Sequence, residues 1–199
     1  MSLWRGEPLV LASKSEVRRN LLEAAGISAV IDPADIDERR IESQNASLSP
    51  DAAALLLARE KALAVARRRP GLILGADQTL ALGERRFSKP AGSTAAREHL
   101  KALAGRTHSL HSAAAIARDG EIAFETVSTA RLTMRPLSDA FIDAYLAAAG
   151  GRVNQSVGAY QLEGLGVHLF EKIDGDHFTV LGLPLLSLLA YFRKAGMLP

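Results

Sequence analysis

"PLVLASKSEVRRNLLEAAGI", residues 8–27, decides what kind of fold to expect. Leu9 to Ala12 make a short apolar run that stops at a polar break, the pattern of a buried strand. Beyond it Val17, Leu21, Leu22 and Ala25 recur on one side of a helix, and Gly26 is placed to stop it. Ser13 with Glu16 makes an S-x-x-E capping box, while Ser15 would cap a helix whose first turn holds Glu16, Val17 and Arg18. The junction thus gathers hydroxyls, guanidinium groups and the free amides of a helix N-terminus. Such a junction suits an anion, with Arg18 or Arg19 completing a phosphate clamp. A capped surface helix with solvated arginines is the other reading of the same residues.

Working outward, "IDPADIDERRIESQNASL" reads as an exposed loop or irregular edge strand that clusters Asp32, Asp35, Asp37 and Glu38. "SPDAAALLLAREKALAVARRR" is the clearest helix, with Ser49 as cap, Pro50 at its first position and Pro70-Gly71 as its end. "LILGAD" follows as an apolar strand that delivers Asp77 to its C-terminal end. "GERRFSKPAG" reads as a loop and "STAAREHLKALAG" as a capped helix. Two long strands then meet at Asp119-Gly120, a hairpin signal. "SDAFIDAYLAAAGG" is a further capped helix, "VHLFEKI" a strand, and "PLLSLLAYFRKAG" a closing helix that starts at Pro184. Strands and helices mix without strict alternation, so the fold class is α/β or α+β.

The 199 residues suffice for one substantial core, and no repeat, low-complexity tract or linker divides them. The expected organisation is one domain over 1–199. Lysine and arginine number 24 against 22 acidic residues, a formal charge of +2, which argues against bulk nucleic-acid binding. Cysteine is absent, so there is no disulfide scaffold, thiol nucleophile or cysteine metal site, as suits a reducing compartment. The apolar stretch near the N-terminus is far shorter than the roughly 20 residues of a membrane span. A cytoplasmic protein without a membrane partner is the expectation.

Asp77, at the end of an apolar strand, is placed to hold a metal or act as a base, or simply to form a turn. Lys61 and Lys89 could each touch phosphate, although a solvated lysine is the commoner reading. "GAYQLEGLG", residues 158–166, is glycine-rich but lacks G-x-G-x-x-G, and the chain contains no G-x-x-x-x-G-K-[ST]. The five histidines form no helix-spaced zinc pair, and the acidic run 32–38 lacks the EF-hand offsets.

Taken in order, "LVLASKSEVRRNLLEAAGI", "AREKA", "GADQTL", "KP", "RTH", "GAYQLEG" and "GLPL" resemble the Maf family of nucleoside triphosphate pyrophosphatases over nearly the whole chain. The resemblance implies a mixed α/β fold of two lobes around a central cleft, related to the inosine-triphosphate pyrophosphatases, and often a homodimer. It implies hydrolysis of a nucleoside triphosphate between its α and β phosphates, with magnesium or manganese as cofactor. On the matching positions Asp77 would be the proton acceptor, and Ser13, Arg18, Lys61 and Lys89 would grip the triphosphate. Glu38 would join Asp77 near the metal. The chemistry suits these residue types, because a carboxylate takes a proton from water while cations stabilise charge on the leaving pyrophosphate.

Three positions bear on the base. The family branch acting on thymidine and uridine triphosphates typically reads "S-P-R-R", "A-D-T" and "I-Q-G", where this chain has Val17, Gln78 and Glu163. Gln78 with Glu163 resembles the branch that prefers 7-methyl-GTP. A glutamate offers two acceptor oxygens to the adjacent N–H donors of guanine, whereas glutamine suits uracil or thymine. Val17 matches neither branch, being neither arginine nor the expected aromatic, and would forgo a cation–π contact with a methylated base. A pyrimidine-preferring enzyme of the same family and a non-catalytic nucleotide-binding regulator of division are the competing expectations.

Overall fold

Asp119 and Gly120 make the turn read in the sequence, both at positive φ (52° and 83°), and it joins the two longest strands. In the computed structural model, which describes residues 3–199, the strands are β1 (Leu9–Leu11), β2 (Ala29–Ile31), β3 (Leu72–Leu82), β4 (Arg85–Phe87), β5 (Thr107–Arg118), β6 (Glu121–Met134) and β7 (Phe170–Asp174). The α-helices are α1 (Glu16–Ala24), α2 (Glu38–Gln44), α3 (Pro50–Ala66), α4 (Ser93–Leu103), α5 (Asp139–Ala149), α6 (His177–Val180) and α7 (Leu185–Lys194). Strands and helices are mixed, as expected.

The chain divides into two compact units. The first holds residues 1–78, 111–128 and 177–199, and the second holds 79–110 and 129–176. Strands β3, β5 and β6 each begin in one unit and end in the other.

In the first unit β1 lies parallel to both β2 and β3, with Leu9 opposite Ala29 on one side and Leu72 on the other. Alternation along the strands sorts side chains to two buried faces. Leu9, Leu11, Leu72 and Leu74 pack with Leu22 of α1 and Leu188 and Phe192 of α7. Val10, Ala12, Ile73, Ala113, Ala115 and Ala117 pack against Ala54, Ala58, Ala62 and Val65 of α3. The second face is mostly alanine, so helix and strands approach closely. At Gly75 a Cβ would lie 2.0 Å from the Ala58 carbonyl oxygen and 2.6 Å from the Ala62 amide nitrogen. No side chain fits there while α3 stays where it is.

In the second unit β4 pairs antiparallel with the end of β3, Leu80 facing Phe87, and β7 pairs antiparallel with β6. Helices α4 and α5 pack together, joined at the surface by Arg97 Nε donating to Asp143 Oδ1 at 2.7 Å. Buried on this side are Leu100, Leu103, Leu132, Ile142, Tyr145 and Tyr160. His108 is also enclosed, with Nε2 2.7 Å from the Tyr160 hydroxyl, and burial lowers its pKa to about 4.

Four local expectations are corrected. Residues 38–44 are a helix rather than loop or edge strand, because the Asp37 side chain accepts from the Arg40 amide at 3.0 Å and caps it. "LILGAD" does not end at Asp77: the alternating "QTLAL" continues β3 to Leu82, which places Asp77 within the strand. Part of "GERRFSKPAG" is strand β4 rather than loop. In "VHLFEKI" the first residues lie in a 3-10 turn spanning Leu165–Leu169, and pairing starts at Phe170.

Candidate functional site

The first unit assembles the site from three elements. Ser15 is the N-cap of α1, its side chain accepting from the Arg18 amide at 3.3 Å, which decides between the two possible caps. Ser13 is thereby released, and its Oγ accepts from the Ser15 amide at 3.2 Å and from Arg18 Nη1 at 3.1 Å. Arg18 also donates from Nη1 to the Ala76 carbonyl at 2.9 Å and from Nε to the Gly182 carbonyl at 2.8 Å. The hydrogen bonds described leave the two N–H groups on Nη2 for a ligand. Burial lowers the pKa of Arg18, opposed by the charges of Asp77 and Glu38.

Asp77 follows Ala76 on β3, and the close seat of α3 over Gly75 brings Lys61 to it. Lys61 Nζ donates to Asp77 Oδ1 at 2.6 Å and lies 2.8 Å from Glu38 Oε1. Both Lys61 and Asp77 are only 8% exposed, whereas Glu38 is exposed at the start of α2. Lys61 is therefore not the solvated lysine that its place in a helix suggested. Its side chain is buried and its head is paired with Asp77 and Glu38. Removing one member of such a pair leaves a buried charge uncompensated, at a cost of about 3–5 kcal/mol. Burial pushes the Asp77 carboxyl above its ordinary value, and the charges of Lys61 and Arg18 oppose that rise.

Asp77 and Glu38 converge on one ammonium. Lys61 Nζ fills the point where Asp77 Oδ1 and Glu38 Oε1 meet, so Asp77 Oδ2 and Glu38 Oε2 are the oxygens left for a divalent ion that takes one or two carboxylates and completes its shell with water and phosphate oxygens. Among the described residues no group of three or more histidine, cysteine or acidic side chains is arranged around a metal. The pair suits an ion shared with substrate.

Gln78, the next residue of β3, turns inward in the first unit. Its Nε2 is 2.9 Å from Ser112 Oγ and 3.1 Å from each of the Thr179 and Val180 carbonyls. Val17 lies half-buried in the first turn of α1. Lys89 and Glu163 belong to the second unit, both exposed, Lys89 just after β4 and Glu163 between two 3-10 turns.

Sequence reasoning passed over Gly75, Ser112 and the backbone of Thr179–Gly182. Gly75 had a signal, since a glycine inside an apolar strand marks close backbone approach. Ser112 had only a faint one, a lone hydroxyl before five apolar residues.

A mixed α/β fold with a buried carboxylate between an arginine and a lysine defines a class of protein built to meet an anion. Residues 8–195 match the Maf-like protein family, and the chain belongs to it. It is 58% identical over 200 residues to a nucleoside triphosphate pyrophosphatase of Bradyrhizobium diazoefficiens, covering 100% of this chain and 99% of that protein. A Nitrobacter hamburgensis protein of the same description is 56% identical, with the same coverage. A 7-methyl-GTP pyrophosphatase of Mesorhizobium japonicum is 51% identical over 193 residues, covering 96% of this chain and 97% of that protein.

Proposed function

We propose that this enzyme hydrolyses nucleoside triphosphates to a monophosphate and pyrophosphate, with 7-methyl-GTP or another modified nucleotide preferred. The observation that carries the reading is the buried Asp77, held 2.6 Å from Lys61 beside the Arg18–Ser13 pair. A structural ion pair has no need of an arginine with unspent N–H groups next to it.

In the reaction the oxygen of a water attacks the α phosphorus, and Asp77 accepts the proton that the water loses. The bond from that phosphorus to the bridging oxygen breaks, and its electron pair leaves with pyrophosphate. An upward-shifted carboxyl is a better base than an ordinary aspartate, and the charges of Lys61 and Arg18 oppose its neutralisation. Arg18 meets phosphate oxygens through Nη2, Ser13 with its hydroxyl proton, and Lys61 with its third N–H. Asp77 and Glu38 would hold a magnesium or manganese ion, which when bound neutralises phosphate oxygens and acidifies its water.

The base preference rests on Glu163, whose two acceptor oxygens suit guanine's adjacent N–H donors, and Lys89 is proposed as a further cation for the triphosphate. The Mesorhizobium relative, described as a 7-methyl-GTP pyrophosphatase, supports this preference. The structure gives no reason for Val17 in place of arginine or an aromatic.

The test is a panel of normal and modified triphosphates with magnesium or manganese, read as monophosphate and pyrophosphate released. Cleavage with 7-methyl-GTP fastest is expected. Preference for uridine or thymidine triphosphate would move the protein to the pyrimidine reading, and binding without turnover would make it a regulator.

A further inference from the structure

We propose that Ser112 and Gln78 form a buried polar lock that fixes the segment Thr179–Gly182 and, through the Gly182 carbonyl, the guanidinium of Arg18. On this account both are positioning residues, and the donors of Gln78 do not read the base. The proposal rests on the phosphate-grip role given to Arg18 above.

Ser112 is 0% exposed and precedes the apolar run 113–117 of β5. A hydroxyl buried there is costly unless both of its roles are used. They are, since Oγ donates to the Thr179 carbonyl at 2.7 Å and accepts from Gln78 Nε2 at 2.9 Å. The amide of Gln78 has one permitted orientation. Two of its neighbours, the Thr179 and Val180 carbonyls, can only accept, so the nitrogen must face them. Its two N–H groups thus serve three protein acceptors, which leaves only Oε1 for any other partner.

The held segment is short and would otherwise be weakly fixed. Helix α6 has four residues, and the chain leaves it through Gly182, whose φ is +93°. The Gly182 amide donates to the same Thr179 carbonyl at 3.1 Å, so that oxygen is a hub for Ser112, Gln78 and the turn. Gly182 then presents its own carbonyl to Arg18 Nε at 2.8 Å. A Cβ on Gly182 would sit 3.6 Å from both Arg18 Nη2 and Gln78 Oε1, so arginine and glutamine flank one residue. The lock therefore sets the aim of the two N–H groups that Arg18 keeps for a ligand.

The experiment compares the parent with Ser112→Ala, Ser112→Thr and Gln78→Glu, measuring KM and kcat over the triphosphate panel and inhibition by inorganic pyrophosphate, which carries no base. Losing one buried hydrogen bond should raise KM about tenfold for every nucleotide and weaken pyrophosphate inhibition by the same factor, leaving base ratios unchanged. Ser112→Thr, which keeps the hydroxyl, should recover most of the loss. Gln78→Glu, which sets an oxygen against two carbonyls, should be worse than Ser112→Ala in both readouts. A change in base ratio with unaltered pyrophosphate inhibition would overturn the proposal and make Gln78 a base reader. The Nε–H signal of Arg18 in a nitrogen-15 spectrum of the unliganded parent gives a check that needs no variant. Protection from exchange is expected, and rapid exchange overturns the lock. If the parent cleaves no triphosphate yet that signal is protected, the functional reading fails while the lock stands.

Discussion

Asp77 in the first unit and His108 in the second are both buried titratable side chains, 8% and 1% exposed, with opposite surroundings. Asp77 has an ammonium at 2.6 Å and the guanidinium of Arg18 beside it. Its burial raises its pKa, but the charges nearby resist neutralisation. His108 has a tyrosine hydroxyl at 2.7 Å and the ring of Phe170 at 5.9 Å, and burial alone drives it neutral. A fold that needs a buried polar group only for structure can let it lose its charge. Retaining a charge requires partners, and those cations are what substrate phosphates would also meet.

Asp77→Asn keeps the shape and removes the base, so kcat should fall about 10³-fold in a steady-state assay. Arg18→Lys should cost roughly 10²-fold in kcat/KM, because an ammonium cannot hold three protein acceptors and still present a fork to phosphate.

His108 sharpens the other side. Its folded value, lowered to about 4 from 6.5, means that between those pH values the unfolded chain holds a proton the folded chain does not. Stability therefore falls as pH drops from about 6.5 toward 4, by up to about 3 kcal/mol, and is unaffected by this group above that window. Denaturant unfolding at several pH values checks this, and His108→Gln should flatten that part of the profile.

Gly75→Ala tests whether the seat of α3 is what keeps Lys61 on Asp77. The added methyl must push the helix outward, so a loss of about 1–3 kcal/mol is expected together with reduced turnover. The smallest effect belongs to Glu163→Gln, a shift of about tenfold in the ratio of 7-methyl-GTP to uridine triphosphate turnover with the total rate little changed.

The mixed fold, the hairpin at Asp119-Gly120 and the strand-to-helix junction at Ser13–Ser15 were legible because local chemistry decides them. Helix α2 was not: none of its residues is buried, so it carries no apolar period, and only the Asp37 cap marks it. In the sequence the apolar run ends at the polar pair Asp77-Gln78, whereas the strand continues once their side chains find Lys61, Ser112 and the Thr179 carbonyl. The family resemblance put Ser13, Arg18, Lys61 and Asp77 in one site. That Arg18 spends three donors on protein and keeps two depends on residues far apart in the chain, and no local pattern encodes it.

The most direct measurement of the central claim is pyrophosphate release from 7-methyl-GTP by the parent and by Asp77→Asn, with magnesium or manganese at equal protein concentration. Steady release by the parent and a rate about 10³-fold lower for the variant, with its fold intact, are expected. Equal rates for the two proteins, or no release by the parent from any triphosphate, would contradict it.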